Sequence, residues 1–401
     1  MKSTRHALII GGGIAGPVVA MFLQKAGISS AIYEARTSSE DVGAFLQIAP
    51  NGMNVLKAIG LDTQITAAGM INTHFLFRNS EGKFLCRIQN GKPESHGPSA
   101  VTILRSTLHC VLMTEAVQRG IPVFLGKRLV RVVDLPGQPI VAHFEDGSSA
   151  EGDIIIGADG IWSAVRRLTM PEAPAPVYTG LIGVGGLTPL HDSPEMMLAN
   201  QSEMTMTWGP SGFFGYGMGR TSEGKSMLWW SNQQQDTPPT REELNSSSQL
   251  DLRRSLIDTH GDWHDPIPQL IERTDHVVNI AIYEMPSLPT WHKGRAVLIG
   301  DAAHAMATSA GQGASQALED TIALAKLLRD ATGPLHNAFP AFEEARRTRA
   351  EKISAIARRN GERKKTLGPF ALRVRDFFVA HIMPVVARRS WNAMYAYKAD
   401  W

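Results

Sequence analysis

The sequence predicts an α/β fold in which a parallel-sheet domain is interrupted by a mainly antiparallel β-sheet domain and followed by C-terminal helices. Three observations predict it. Continuous apolar runs at His6–Ile10, Asp153–Gly157 and Arg295–Gly300 read as parallel strands covered on both faces. Between about Val177 and Met285 helical periodicity fades, and Trp, Phe, Tyr and Met alternate with polar or glycine positions. Beyond residue 330 only helical patterns remain, Phe339 to Lys365 and Phe370 to Arg389.

The elements follow in order. His6–Ile10 is a short strand, Gly11–Gly16 a tight turn, and Pro17–Ala26 an apolar helix closed by Gly27. Ser29–Glu34 is the second strand. Arg105–Arg119 has an apolar stripe at Leu108, Leu112 and Ala116 that continues from Leu104, and Gly120 ends that helix. Strands follow at 121–124, 128–135 and 140–145, with a hairpin-like turn at Asp146-Gly147. Leu244–His260 reads as a helix laid against the second sheet, and Gly311–Arg329 as a long helix after the last parallel strand. The expected organisation is a first domain assembled from 1–73, 101–176 and 286–330, with a strand insertion at 74–100. The second sheet domain spans 177–285 and a helical region 331–401.

A chain of 401 residues exceeds the usual size of one compact core. Its formal net charge of +2 gives no electrostatic argument for a nucleic-acid partner. The two cysteines, Cys86 and Cys110, lack any Cys-x-x-Cys or Cys/His spacing, so neither a disulfide framework nor a metal site is expected. Lys2 and Arg5 before an apolar run superficially resemble a secretory signal, but the glycines from Gly11 to Gly16 interrupt that run. No stretch reaches the roughly 18 apolar residues of a membrane span. A cytoplasmic location is expected. The C-terminal stretches are basic, from Arg346 to Lys365 and again at Arg373, Arg375, Arg388 and Arg389. A solvated helix face is the plain reading, so membrane association is not expected; membrane-surface attachment of Phe370–Trp391 and a dimer contact are the alternatives. Monomer and homodimer both remain open.

The chemistry is carried by three separated segments. Gly11-x-Gly13-x-x-Gly16 follows a strand, opens a helix and precedes an acidic strand end at Glu34. Gly11 allows the sharp turn, Gly13 lets backbone approach a pyrophosphate, and Gly16 lets helix pack on strand. Amides around Ile14 and Ala15 then face the phosphates at the positive end of the helix. Glu34 is placed to accept hydrogen bonds from ribose hydroxyls. The second segment is Gly157-Ala-Asp159-Gly160, followed by Ser163 and Arg166. The third is Gly300-Asp301 with His304, after which Gly311-Gln312-Gly313 opens the long helix.

With these motifs the chain resembles the single-component flavoprotein aromatic hydroxylases, the family that includes para-hydroxybenzoate, salicylate and tetracycline-inactivating monooxygenases. Arg105-Ser-Thr-Leu108 resembles the family's R-x-x-L helix start, and Ala49-Pro50-Asn51-Gly52 is also typical. The resemblance runs from residue 5 to about residue 330. It implies a Rossmann-like FAD-binding domain interrupted by the substrate-binding sheet, with FAD held non-covalently. It implies that Asp301 holds a ribityl hydroxyl, that Arg105 and Gln47 lie along the pyrophosphate and ribityl chain, and that the backbone near Val130 meets the adenine with Arg36 beside it. Asp159 is implied to fix the cofactor and the transient nicotinamide donor, NADH or NADPH. Amides of Gln312, Gly313 and Ala314 face the pyrimidine edge of the flavin, where a helix N-terminus stabilises negative charge. The implied reaction hydroxylates an aromatic or polycyclic small molecule with dioxygen through a flavin C4a-hydroperoxide, in a chamber that excludes water.

The second sheet supplies candidates for that chamber: Trp208, Phe214, Tyr216, Met218 and Trp229, of which strand alternation turns about half toward the flavin. Tyr216 and Trp208 couple an aromatic surface to a polar handle. Ala305–Ala310 departs from the family pattern, with Thr308 where a proline commonly lies. His304 reads as structural. On the same scaffold, epoxidation, halogenation, dehydrogenation and non-catalytic flavin binding are the alternatives; the W-x-W-x-I-P segment of related halogenases does not occur.

Overall fold

The structure is a computed structural model that describes residues 5–37, 45–190, 200–362 and 368–401. A six-stranded sheet runs in the order His292–Lys293, Ala296–Leu298, Ile154–Gly157, His6–Ile10, Ser29–Tyr33 and Val123–Phe124. Its pairings are parallel except between the first two strands. Ala7, Leu8 and Ile9 are fully buried in its centre, which is why this strand is apolar at consecutive positions. The helix Ala15–Lys25 and the long helix Gly313–Asp330 pack together on this layer, and the helix Arg105–Gln118 buries its Leu108, Leu112 and Ala116 stripe beside them. A three-stranded antiparallel sheet of Leu129–Val133, Ile140–Phe144 and Ser149–Gly152 flanks it, and a third small sheet holds Phe45–Ile48, Ala100–Leu104 and Met70–Asn72.

The largest sheet has seven strands: Val278–Glu284, Val177–Pro189, Gly224–Gln234, Gly212–Thr221, Glu203–Gly209, His74–Asn79 and Phe84–Gln89. Every neighbouring pair is antiparallel except Glu203–Gly209 with His74–Asn79. One face carries Phe214, Tyr216, Met218 and Trp229 against Leu256 and Ile267 of the covering helices. The other face meets the rest of the molecule.

Two helical expectations need correction. Leu244–His260 is not continuous: Arg241–Ser246 and Gln249–His260 are separate, and Thr240 and Glu243 cap the first reciprocally. The stretch Phe370–Arg389 is also two helices, Pro369–His381 and Met383–Tyr395. Pro384 has no N–H to donate, so it suits the first turn of the second helix and ends the first. The basic helix begins at Phe339 and is described to Glu362; Arg363, Lys364 and Lys365 lie outside the described residues.

Candidate active site

The C-terminal ends of the parallel strands open into a cavity of ≈ 2070 Å³ that continues to the inner face of the seven-stranded sheet. A site for one drug-sized ligand spans roughly 300–1,000 Å³, so this volume accommodates an extended dinucleotide and a second molecule.

The glycine turn builds one end. Gly11 has φ +106°, and a Cβ there would lie 2.4 Å from the carbonyl oxygen of Ala158. A Cβ on Gly16 would lie 2.0 Å from the carbonyl oxygen of Gly11, so helix and turn touch only because Gly16 has no side chain. Gly13 differs. Nothing in the protein comes within 4 Å of its would-be Cβ, which points into the open cavity. The chain's own packing does not require glycine at 13. Glu34 accepts from the amide of Gly12 at 2.7 Å and from that of Arg36 at 2.9 Å, which fixes its carboxylate at the cavity wall. His109 places Nε2 2.8 Å from the carbonyl oxygen of Gly12. Its sequence signal was the i, i+4 spacing from Arg105, which puts the two on one side of the helix; both line the cavity.

Asp159 lines the cavity, but its carboxylate caps the helix Ala164–Thr169: it accepts from Ser163 at 2.5 Å and from the amides of Ala164 and Val165 at 2.7 and 3.0 Å. Burial raises its carboxyl above the ordinary range despite those hydrogen bonds. Arg166, buried, donates to the carbonyls of Ala302 at 2.7 Å and Ile161 at 2.5 Å, which ties this loop to the helix Asp301–His304. Asp301 begins that helix, is exposed to the cavity, and has no side-chain hydrogen bond among the described residues. A carboxylate held at the cavity wall without a protein partner suits a ligand rich in hydroxyl donors.

Gln312, Gly313 and Ala314 bring the N-terminus of the 18-residue helix Gly313–Asp330 to the cavity. Behind it lies a buried polar network that motif reading missed. Asn51 donates to Gln312 at 3.0 Å and to Glu319 at 2.7 Å. Arg346 bridges Glu319 at 2.5 Å and Asp320 at 2.7 Å, and Arg349 adds two further bonds to Glu319. Asp320 accepts from the amide of Gly300 at 2.8 Å and lies 2.6 Å from His304, so His304 serves the scaffold. Burial pushes the Asp320 carboxyl up, but His304 and the Arg346 guanidinium outweigh it and hold it at about 2.

Gln47, Arg36, Arg105, Val130, Ile14, Ala15 and Thr308 also line the cavity, whereas Gly16 packs beneath the turn. On the sheet the wall includes Phe77, Met206, Trp208, Phe213, Trp229 and Trp230. Two aromatic candidates, Phe214 and Tyr216, and with them Met218, do not line the cavity. Trp208 pairs with Phe213 across the ladder, so Phe214, Tyr216 and Met218 fall in register toward the opposite, helix-covered face. Trp229 lines the cavity, although its ring stacks on Phe214 at 5.2 Å and donates to Thr274 at 2.8 Å. The C-terminal helices close the chamber with Phe378, Met383, Ser390 and Trp391, a wall that composition alone did not disclose.

Fold and cavity together define a dinucleotide-dependent flavoprotein. The family described as FAD binding domain matches residues 4–355, and the chain belongs to it. Over 379 residues the chain is 31% identical to an aurachin C monooxygenase/isomerase from Stigmatella aurantiaca, covering 94% of each chain. It is 28% identical to a 6-hydroxynicotinate 3-monooxygenase from Pseudomonas fluorescens, covering 90% of this chain and 92% of that one. The crystal structure of Klebsiella pneumoniae HpxO complexed with FAD and uric acid has the same fold, with a TM-score of 0.85 at 23% identity over 98% of this chain and 97% of that chain. The protein is an FAD-dependent monooxygenase of the class A aromatic hydroxylase family.

Proposed function

We propose that this monooxygenase hydroxylates a neutral, largely apolar aromatic or polycyclic molecule, with NADH or NADPH as transient donor and dioxygen as co-substrate. One observation carries this reading: the nucleotide trough runs into a chamber walled by aromatic rings and methionines. The charged lining side chains Glu34, Arg36, Arg105, Lys127, Arg128, Asp159, Arg167 and Asp301 belong to the nucleotide-binding elements. Beside the sheet, exposed Arg359 is the one charged lining residue among those described.

Ile14 and Ala15 at the helix start would receive the pyrophosphate with Arg105, and Glu34 the adenosine ribose. Asp301 and Gln47 would hold the ribityl chain, and the amides of Gln312–Ala314 the pyrimidine edge. When bound, FAD takes two electrons from the donor and directs one oxygen atom of dioxygen to the substrate and the other to water. The chain's part is to bind, orient and keep water out. Trp208, Phe213 and Trp230 offer flat apolar surface to an aromatic ring, while Thr308 and Ser309 form the loop between the two halves of the cavity. No carboxylate or imidazole stands on the sheet side of the chamber among the described residues, so the protein supplies no general base there.

A paired screen of neutral bicyclic aromatics and aromatic carboxylates tests the reading. Neutral compounds should stimulate NAD(P)H oxidation and yield product with one added oxygen atom. A buried carboxylate without a partner costs several kcal/mol, so the acids should bind at least ~100-fold more weakly. Preference for the acids would overturn the substrate class.

A further inference from the structure

The two C-terminal helices are amphipathic on both sides of one layer. Their inner faces carry Phe378, Met383 and Trp391 into the chamber. Their outer faces carry Phe370, Val374 and Phe377 at i, i+4 and i+7, then Ile382, Val385 and Val386 at i, i+3 and i+4. All six are exposed, Phe370 at 81%, Phe377 at 62% and Val385 at 59%. Eighteen large apolar residues are exposed among the described residues, and a third of them fall in these two helices and Ile382 at their junction. Scattered single exposures are ordinary, but a contiguous stripe marks a surface that something covers.

Charge identifies the occupant. Arg373 and Arg389 lie beside the apolar stripes, Arg388 lies at the flank, and all three are exposed. The only acidic residue in the pair, Asp376, already binds Arg375 at 2.8 Å. A second copy docked about a two-fold axis would set this arginine-edged surface against itself. An anionic lipid surface satisfies both features, since apolar side chains enter the acyl boundary while arginines remain level with the headgroups. Each helix has 13 residues, too short to span, and no helix among the described residues is long and apolar enough to cross a membrane.

We propose that the helical pair Pro369–Tyr395 docks the protein on an anionic bilayer surface, setting one wall of the substrate chamber against the lipid. Val386 is both exposed and part of the cavity lining, so at that point the wall is one side chain thick. The proposal goes beyond the substrate reading and does not require it.

Flotation of the full-length, FAD-loaded protein with unilamellar vesicles provides the test, read by protein and flavin absorbance without turnover. Vesicles of phosphatidylglycerol mixed equally with phosphatidylcholine should retain the protein in a salt-sensitive manner, and pure phosphatidylcholine should retain much less. Phe377→Ser combined with Val385→Ser, and separately Arg388→Glu with Arg389→Glu, should each reduce retention at least about tenfold. Flavin content and thermal transition should stay unchanged, because these side chains face solvent. Three results would overturn the proposal: no retention on the anionic vesicles, retention indifferent to both pairs of substitutions, or a concentration-dependent dimer lost on Phe377→Ser with Val385→Ser where no vesicle binding occurs.

Discussion

Arg346→Met removes the centre of the buried network behind the N-terminus of the helix Gly313–Asp330. The wild-type guanidinium donates to Glu319 at 2.5 Å, to Asp320 at 2.7 Å and to the Gln316 side chain at 3.0 Å, and both carboxylates are completely buried. Glu319 keeps Arg349 through bonds of 2.7 and 2.8 Å, so the uncompensated charge falls mainly on Asp320. Removing one partner of a buried ion pair costs about 3–5 kcal/mol, a large share of the roughly 5–15 kcal/mol that holds a domain folded. For a chain of this size the melting temperature should fall by roughly 4–6 °C. Arg349→Met is the control: its side chain is partly exposed and Arg346 remains on Glu319, so its loss should be roughly 1 kcal/mol.

The pH dependence has a definite sign. In the folded protein the Asp320 carboxyl sits at about 2, below its ordinary value of 3.8. Its contribution is therefore complete above the ordinary value and is lost as pH falls through about 2. Without Arg346, burial is less opposed and the carboxyl moves upward toward its ordinary value, so the stability difference between wild type and variant should narrow as pH falls below about 3.8. Because Asp320 accepts from the amide of Gly300, whose neighbour is Asp301, FAD affinity should weaken even where the variant remains folded. Thermal melts from pH 3 to 8 and FAD titration read all three consequences. An Arg346→Met protein with wild-type melting temperature, pH dependence of melting and FAD affinity would refute the account.

Three further outcomes follow from the cavity. Asp301→Ala should weaken FAD binding by about 10- to 100-fold through the loss of a charge-assisted hydrogen bond; unchanged flavin content after desalting would remove Asp301 from the ligand site. Gly13→Ala should leave the melting temperature of the FAD-free protein unchanged yet impair FAD binding, whereas Gly16→Ala should destabilise the FAD-free protein itself, since its Cβ would lie 2.0 Å from a backbone oxygen; equal behaviour of the two in FAD-free melts would contradict that distinction. Trp208→Ala should divert oxygen consumption toward peroxide, whereas Tyr216→Phe, on the covered face, should leave product yield per NAD(P)H unchanged; the reverse pattern in an oxygen-electrode and peroxide assay would mean that the sheet register has been misassigned.

What the sequence disclosed and what it withheld divide along physical lines. The packing roles of Gly11 and Gly16 and the placement of Glu34 and Asp301 at the cavity wall were legible because each lies at a fixed distance from a strand end, where turn and helix start meet within a few residues. Phe214, Tyr216 and Met218 were misplaced because alternation gives two faces but not which one looks inward. That choice depends on register with strands such as His74–Asn79, more than a hundred residues away. The Arg346 network was invisible for a related reason, since its members come from helices whose mutual packing no motif encodes; on a helix face Arg346 and Arg349 read as solvated cations. The C-terminal wall shows the same limit from the other side. Its basic and apolar residues were noticed as composition, but only the packing of Met383 and Trp391 into the chamber separates the face that meets substrate from the face that meets the surroundings. Local rules therefore located the strand-end half of the cavity, which is built from backbone and turns. The substrate half is defined by long-range contacts, and specificity among members of this family is accordingly sought in the side chains that the sheet and the terminal helices turn toward each other.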